Sequence, residues 1–418
     1  MFACFFPRPR LFLISAILWI AFTVALWHTG ADSWGALIGL PPAPAGQTES
    51  ISAAAIWSKP SLWFYAYYWA VAGLFWLAWQ IYSPHRWANW SILGSAFIGF
   101  ATHINATLVV MGNRWTQPFY NMVQASLEHR SHATLSDYYQ QFGVLVEIWM
   151  SALAFIVLVN FFASHFIFRW RTALNDHYTS HWMRVRAIEG AAQRIQDDTM
   201  RFASVVETIG INITAYVMIL IAFLPVLADL STKVAPLPLL GSLHYGLALA
   251  AIAWGVSATA VLLFAGYKLP GLQMRNQRVE AAYRKELVYG EDHAARAQPP
   301  TLAMLFADVR KNYFALYRAQ LFFNIPRYCF LYLDSIFVLF LLIPTILAGT
   351  ITFGLFIQII GAFEAVRRAF EYPASIWPQI VDLIAVYGRL RTFEGAIQGA
   401  MPAGRSPLPE DANPVLAI

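Results

Sequence analysis

Three acidic residues stand inside or at the edge of long apolar runs: Glu147, Glu207 and Asp334. A carboxylate in such a run is costly, and its default reading is functional. Burial disfavours the charged form of any carboxyl, so a group of this kind can exchange a proton as access to it changes. The chemistry implied is proton coupling, with hydrogen bonding inside a helix bundle as the alternative for Glu147 and Asp334. A second set lies in the polar stretch 272–296. On a helix at about 100° per residue, Glu280 and Glu291 fall on nearly one face, with Arg284 between them. A carboxylate–arginine–carboxylate ladder of this kind offers alternative ion pairs that protonation breaks. Glu286 points elsewhere and is placed to pair with another helix, while Gly290 weakens the claim of an unbroken helix. The plainer alternative is a solvated face, where an i,i+4 pair contributes a few tenths of a kcal/mol.

Other polar residues carry weaker signals. Glu189 and Asp197 lie in an earlier polar stretch and read as proton-coupling groups or as salt-bridge partners. His103 and Asn105 are candidates for the wall of a polar cavity, or for bonds within the bundle. His177 and His181 have a spacing that can bind zinc, but the H-E-x-x-H pattern is missing, so surface histidines are expected and no metal site. Cys4 and Cys329 make neither a disulfide framework nor a zinc motif. No nucleophile–base constellation suggests an enzyme.

These residues must be positioned by membrane-spanning helices. Of the 418 residues, 58% are hydrophobic and only 12% are charged, against about 25% in a soluble domain. The mean hydropathy is +0.51. A soluble enzyme, a disordered chain and a coiled coil are excluded, and runs of about 20 apolar residues point to helices rather than a barrel. Eight segments qualify: 11–27, 62–82, 90–111, 142–168, 204–230, 245–267, 328–347 and 351–370. The first has a basic lead but no good small-residue cleavage site, and reads as a retained span. With the N-terminus inside, the outer loops hold only Lys59, Arg114, Arg130 and Lys233, four of the 28 Lys and Arg. That bias predicts both termini in the cytoplasm. It also accounts for the net charge of +5 without nucleic acid.

The segments 169–201 and 268–320 follow apolar runs with no strong helix breaker at the membrane surface. Spans four and five, and again six and seven, are therefore expected to project inward and meet in helical excursions. This is the plan of an ABC-exporter membrane domain, at 88–395, with a two-span extension at 1–87 and a disordered tail at 396–418. One half per chain calls for a dimer. The nearest approach to a P-loop, Gly266–Tyr267–Lys268–Leu269–Pro270–Gly271, lacks the lysine and hydroxyl that follow in a true one. The 48 residues after the last span are too few for an ATPase. No ATP and no other cofactor are expected. Outside, 41–50 reads as a proline-rich connector and 117–127 as an interfacial amphipathic helix.

Specific strings carry a resemblance: YSPHRW (82–87), FRWRTALN (168–175), IEGAAQR (188–194), DTMRFAS (198–204), KLPGL (268–272) and NQRVEAAYRKELVYGED (276–292). Over about 1–395 the chain resembles the SbmA/BacA family of bacterial inner-membrane peptide transporters. The stretch AAQRIQDD (191–198) is also similar to the first cytoplasmic loop of peroxisomal fatty-acid ABC transporters. The family resemblance implies a homodimer with an ABC-exporter-like core, no ATPase, and uptake driven by the proton gradient. It implies peptide substrates, antimicrobial and host-defence peptides among them, and some bulky compounds such as bleomycin-like glycopeptides. It also implies that Glu207, Glu280 and Glu291 match the family's functional acidic positions.

Overall fold

The computed structural model describes residues 1–42, 51–186, 191–238, 241, 243, 245–293 and 295–397. Among these, every regular element is helical, and pairing of extended backbone is confined to an isolated bridge between Leu237 and Gly241. The long helices are α1 (Pro9–Leu26), α2 (Lys59–Tyr82), α3 (Ser95–Leu127), α4 (Leu135–Ser180), α5 (Thr199–Ser231), α6 (Gly246–Gly266), α7 (Leu269–Asp292), α8 (Pro299–Ala348), α9 (Phe353–Ser375) and α10 (Trp377–Ile397). Six stretches of helix are long and apolar enough to cross a membrane: Pro9–Ala31, Asn89–Leu127, Leu135–Ser180, Ala191–Ser231, Gly246–Glu291 and Pro299–Ala348. The other two expected spans fall in α2 and α9. Trp and Tyr dilute the hydropathy of α2, and Glu364, Arg367, Arg368 and Glu371 dilute that of α9.

Local chemistry explains several helix ends. At the start of α4, Thr134 and Asp137 form a reciprocal capping box, in which the Asp137 carboxylate accepts the Thr134 backbone N–H at 2.7 Å. Pro270 sits in the first turn of α7 and Pro299 in that of α8, where a missing N–H costs nothing. After α8 the chain turns at Gly349, whose φ of 61° is left-handed, and re-enters helix at α9. The expected spans 328–347 and 351–370 therefore fall in separate helices. The stretch 117–127 is the last part of α3 rather than a separate interfacial helix, because no breaker separates it from the apolar run: Pro118 is carried inside the helix. The connector at 43–50, residue Glu189 and the tail from 398 lie outside the described residues.

The chain divides into two compact units. The first comprises 1–226, 352–362 and 382–418; the second comprises 227–351 and 363–381. In the first unit, Phe5, Phe166, Trp170, Leu174, Tyr178, Phe202, Leu390 and Phe393 build a buried core from the N-terminal turn, α4, α5 and α10. A smaller core joins Ala53, Ala55 and Ile56 to Ile104, Leu108 and Met111 of α3 and Ile148 of α4.

In the second unit, α7 lies along α8. Asn312 donates to the Leu272 carbonyl at 3.3 Å and to the Asn276 side chain at 3.1 Å, so a buried amide pins the two helices together. Gly290 does not break α7. A Cβ there would overlap that of Ala297, so glycine is what allows the connection to α8 to approach so closely.

Candidate functional site

Glu207 lies on α5, half-buried, where it accepts a hydrogen bond from the Ser164 hydroxyl of α4 at 2.5 Å. Among the described residues it makes no ion pair. It lines a cavity of about 180 Å³ with Ser95 and Ile98 of α3, Phe166 and Trp170 of α4, and Thr214 of α5. Among the described residues, the buried Trp170 indole N–H has no partner.

Asp334 belongs to a denser arrangement in the second unit. The guanidinium of Arg367, only 7% exposed, is surrounded by carboxylates. Its Nη1 donates to Asp334 at 2.5 Å and to Glu371 at 2.6 Å, while Nε and Nη2 donate to Glu364 at 3.0 and 2.7 Å. Glu364 also takes the exposed Arg368 at 2.6 Å. The Trp254 indole of α6 donates to the second oxygen of Asp334 at 2.5 Å, and its ring stacks on Phe337 at 3.9 Å. Asp334 and Glu371 both line a cavity of about 480 Å³, whose other walls include Leu262, Phe323, Arg327, Tyr328 and Trp377. Opposite charges satisfied in this way are stable together, but removing one partner strands a buried charge.

The set on α7 is open by comparison. Glu280 is half-buried, and Arg284 and Glu291 are exposed. Among the described residues none of the three forms an ion pair, so the ladder expected from their spacing is not closed here. Glu286 does turn to another partner. It accepts the Ala297 backbone N–H at 3.1 Å and lies 3.6 Å from Arg296. It thereby fastens the connection in which Ala297 takes an unfavourable φ of 51°.

The remaining expected residues scatter. Glu147 is exposed on α4 and bonds to the Ser52 hydroxyl at 3.2 Å, tying the turn Ala53–Trp57 to α4. The His103 ring lies 4.9 Å from that of Phe64, and the buried Asn105 side-chain oxygen has no partner among the described residues. Neither lines the cavity at Glu207 or the one at Asp334. Asp197 is exposed, whereas its neighbour Asp198 is buried and takes Arg389 of α10 at 2.7 Å. That hydrogen bond pushes the Arg389 guanidinium further toward its protonated form. Nearby, Arg201 pairs with Asp382 at 2.8 Å. No group of three or more potential metal ligands occurs among the described residues.

The sequence reading passed over Glu364, Arg367, Glu371, Asp198 and Arg389. A signal existed for the first three. Residues 364, 367 and 371 are spaced i, i+3 and i+7 on one helix face, in a run otherwise apolar enough to be read as a span. For Asp198 the signal was Phe202 one turn on, which shares its buried face.

Long apolar helices carrying partly buried carboxylates define a polytopic helical membrane protein. The SbmA/BacA-like family matches residues 84–398. The chain belongs to that family, which is a family of transporters. An uncharacterised ABC transporter ATP-binding protein of Synechocystis is 21% identical over 377 residues, which is 85% of this chain and 53% of the relative. The chain thus spans about half the length of that relative.

Proposed function

We propose that the protein imports peptides, antimicrobial peptides among them, and some bulky peptide-like compounds across the bacterial inner membrane, driven by the proton gradient. The working unit is a homodimer. Each subunit contributes eight spans, with α2 and α9 added to the six most apolar helices, and both termini are cytoplasmic. The last six spans adopt an ABC-exporter-like arrangement around a cavity at the midline. Protons and peptides are the partners, with membrane lipid around them; no nucleic acid and no ATP take part.

The observation that carries this reading is Glu207, a carboxylate open to a cavity and held by one hydroxyl. Membership of a transporter family supports it. Protonation of Glu207, with Glu280 and Glu291 as further carriers, supplies the coupling. Purified protein in liposomes tests the proposal. A pH gradient alone, with no nucleotide, drives uptake of a labelled peptide. Glu207→Gln, Glu280→Gln and Glu291→Gln each cut that uptake at unchanged abundance. Wild-type uptake and gradient dependence in all three variants refute the coupling.

A second reading is favoured by the Synechocystis relative, which is described as an ATP-binding protein of an ABC transporter. In that case the chain is the membrane half of an ABC transporter served by a separate ATPase. Uptake that requires ATP and an added subunit, and ignores the pH gradient, selects this reading instead.

A further inference from the structure

Two arginines meet three carboxylates in the network at Arg367, and Arg327 lines the same cavity. Arg367 and Arg368 share Glu364, while Asp334 and Glu371 both lean on one nitrogen, Nη1 of Arg367. Carboxylates so close disfavour each other's charge and favour holding a proton between them. The two carboxyls differ in their donors. Asp334 receives two N–H groups, from Arg367 and from the stacked Trp254. Among the described residues Glu371 receives only Arg367, and it lines the cavity of about 480 Å³ as Asp334 does, so it is the less satisfied of the two.

The groups facing Glu371 are few. From α8 come Asp334, Arg327 and Tyr328; from α9 come Glu364, Arg367 and Arg368, with Tyr372 next in the chain. Helix α6 carries no charged residue and contributes Trp254, and the start of α10 contributes Trp377.

We infer that Glu371 is a proton-operated latch on the tie between α8 and α9. Arg367 and Glu371 are both on α9, so their bond joins nothing between helices. The bond that does so is Arg367 to Asp334. When Glu371 is protonated, Arg367 belongs to Asp334 and the tie is tight. When Glu371 loses its proton, it competes for Arg367 and repels Asp334, and the tie loosens. Contacts from α6 hold this part of α9 in register: the Thr259 hydroxyl donates to the Phe370 carbonyl at 2.6 Å, and Gly255 lets α6 approach Arg367 and Phe370 closely. The latch rests on the import reading for its purpose, but its chemistry can be measured without transport.

The test compares melting temperature against pH for the full-length protein in detergent, for wild type, Glu371→Gln, Glu371→Asp and Asp334→Asn. Lowering the pH favours the state that binds more protons. Wild type therefore gains stability from mildly alkaline to mildly acidic pH, and Glu371→Asp keeps that gain. Glu371→Gln imitates the protonated latch. It melts about 2 °C or more above wild type at alkaline pH and loses the gain. Asp334→Asn melts below wild type throughout. If Glu371 is a mere structural tie, Glu371→Gln falls below wild type just as Asp334→Asn does, and the latch is overturned. In liposomes, Glu371→Gln cuts gradient-driven peptide uptake at least tenfold because the tie cannot open. Full uptake with an unchanged pH profile also overturns the latch. If wild type itself shows no gradient-driven uptake, the import reading fails, and the melting curves still decide the latch.

Discussion

Glu207 and Asp334 are both carboxylates in apolar helices, and the two regions treat them in opposite ways. Glu207 has one hydroxyl donor and no ion pair among the described residues. Asp334 has an arginine, an indole and two rival carboxylates within one network. The lone carboxylate is tied to its surroundings by one bond. In the crowded cluster a change in charge alters which helices are held together. Under the proposed import reading, the first arrangement suits a group that carries a proton, and the second a group that reports on one.

The sharpest way to break this contrast is to remove the arginine. Arg367→Met strands Asp334, Glu364 and Glu371, and is expected to cost about 3–5 kcal/mol. Poor yield and a large fall in melting temperature are the expected results, while Arg367→Lys recovers part of both because one charge returns without the planar fork. A well-folded Arg367→Met protein would place the two regions on the same footing. Next in size, Glu207→Gln is expected to reduce uptake at least tenfold, equivalent to about 1.4 kcal/mol, with little change in melting. If its melting temperature drops while uptake per folded molecule is kept, Glu207 is structural and the contrast fails.

Smaller effects sharpen the comparison within the first unit. Asp198→Asn should cost about 1–2 kcal/mol by weakening the partly exposed bridge to Arg389, and Asp197→Asn less than about 0.5 kcal/mol, both read from thermal unfolding. Trp170→Phe removes no hydrogen bond seen among the described residues but shrinks a ring packed in the core, and should cost about 1–2 kcal/mol in the same measurement.

Much of the architecture was legible because it rests on strong local signals. The apolar runs each mark a helix found in the structure. Glu207 was legible for the same reason, as a charge that interrupts such a run. The Arg367 cluster was not. Its members come from 254, 334 and 364–371, and only packing of α6, α8 and α9 brings them together. Asp197 and its neighbour Asp198 differ by one position, which on a helix turns the side chain about 100° and exchanges solvent for Arg389. The α7 ladder shows the converse: correct spacing puts Glu280, Arg284 and Glu291 on one face without obliging them to pair.

Helix α8 has one more consequence, which is mechanical. It runs for 50 residues, about 75 Å along its path, with Pro326 and Pro344 carried inside it, and Asp334 lies in its second half. Taking Asp334 as the fulcrum, the arm toward Pro299 measures about 50 Å, so a tilt of about 10° sweeps its far end through about 9 Å. Asn312 couples α7 to that arm, so Glu280 and Glu291 ride with it. A displacement too small to notice at the pivot thus arrives, geared up several-fold, where the charged face of α7 meets solvent.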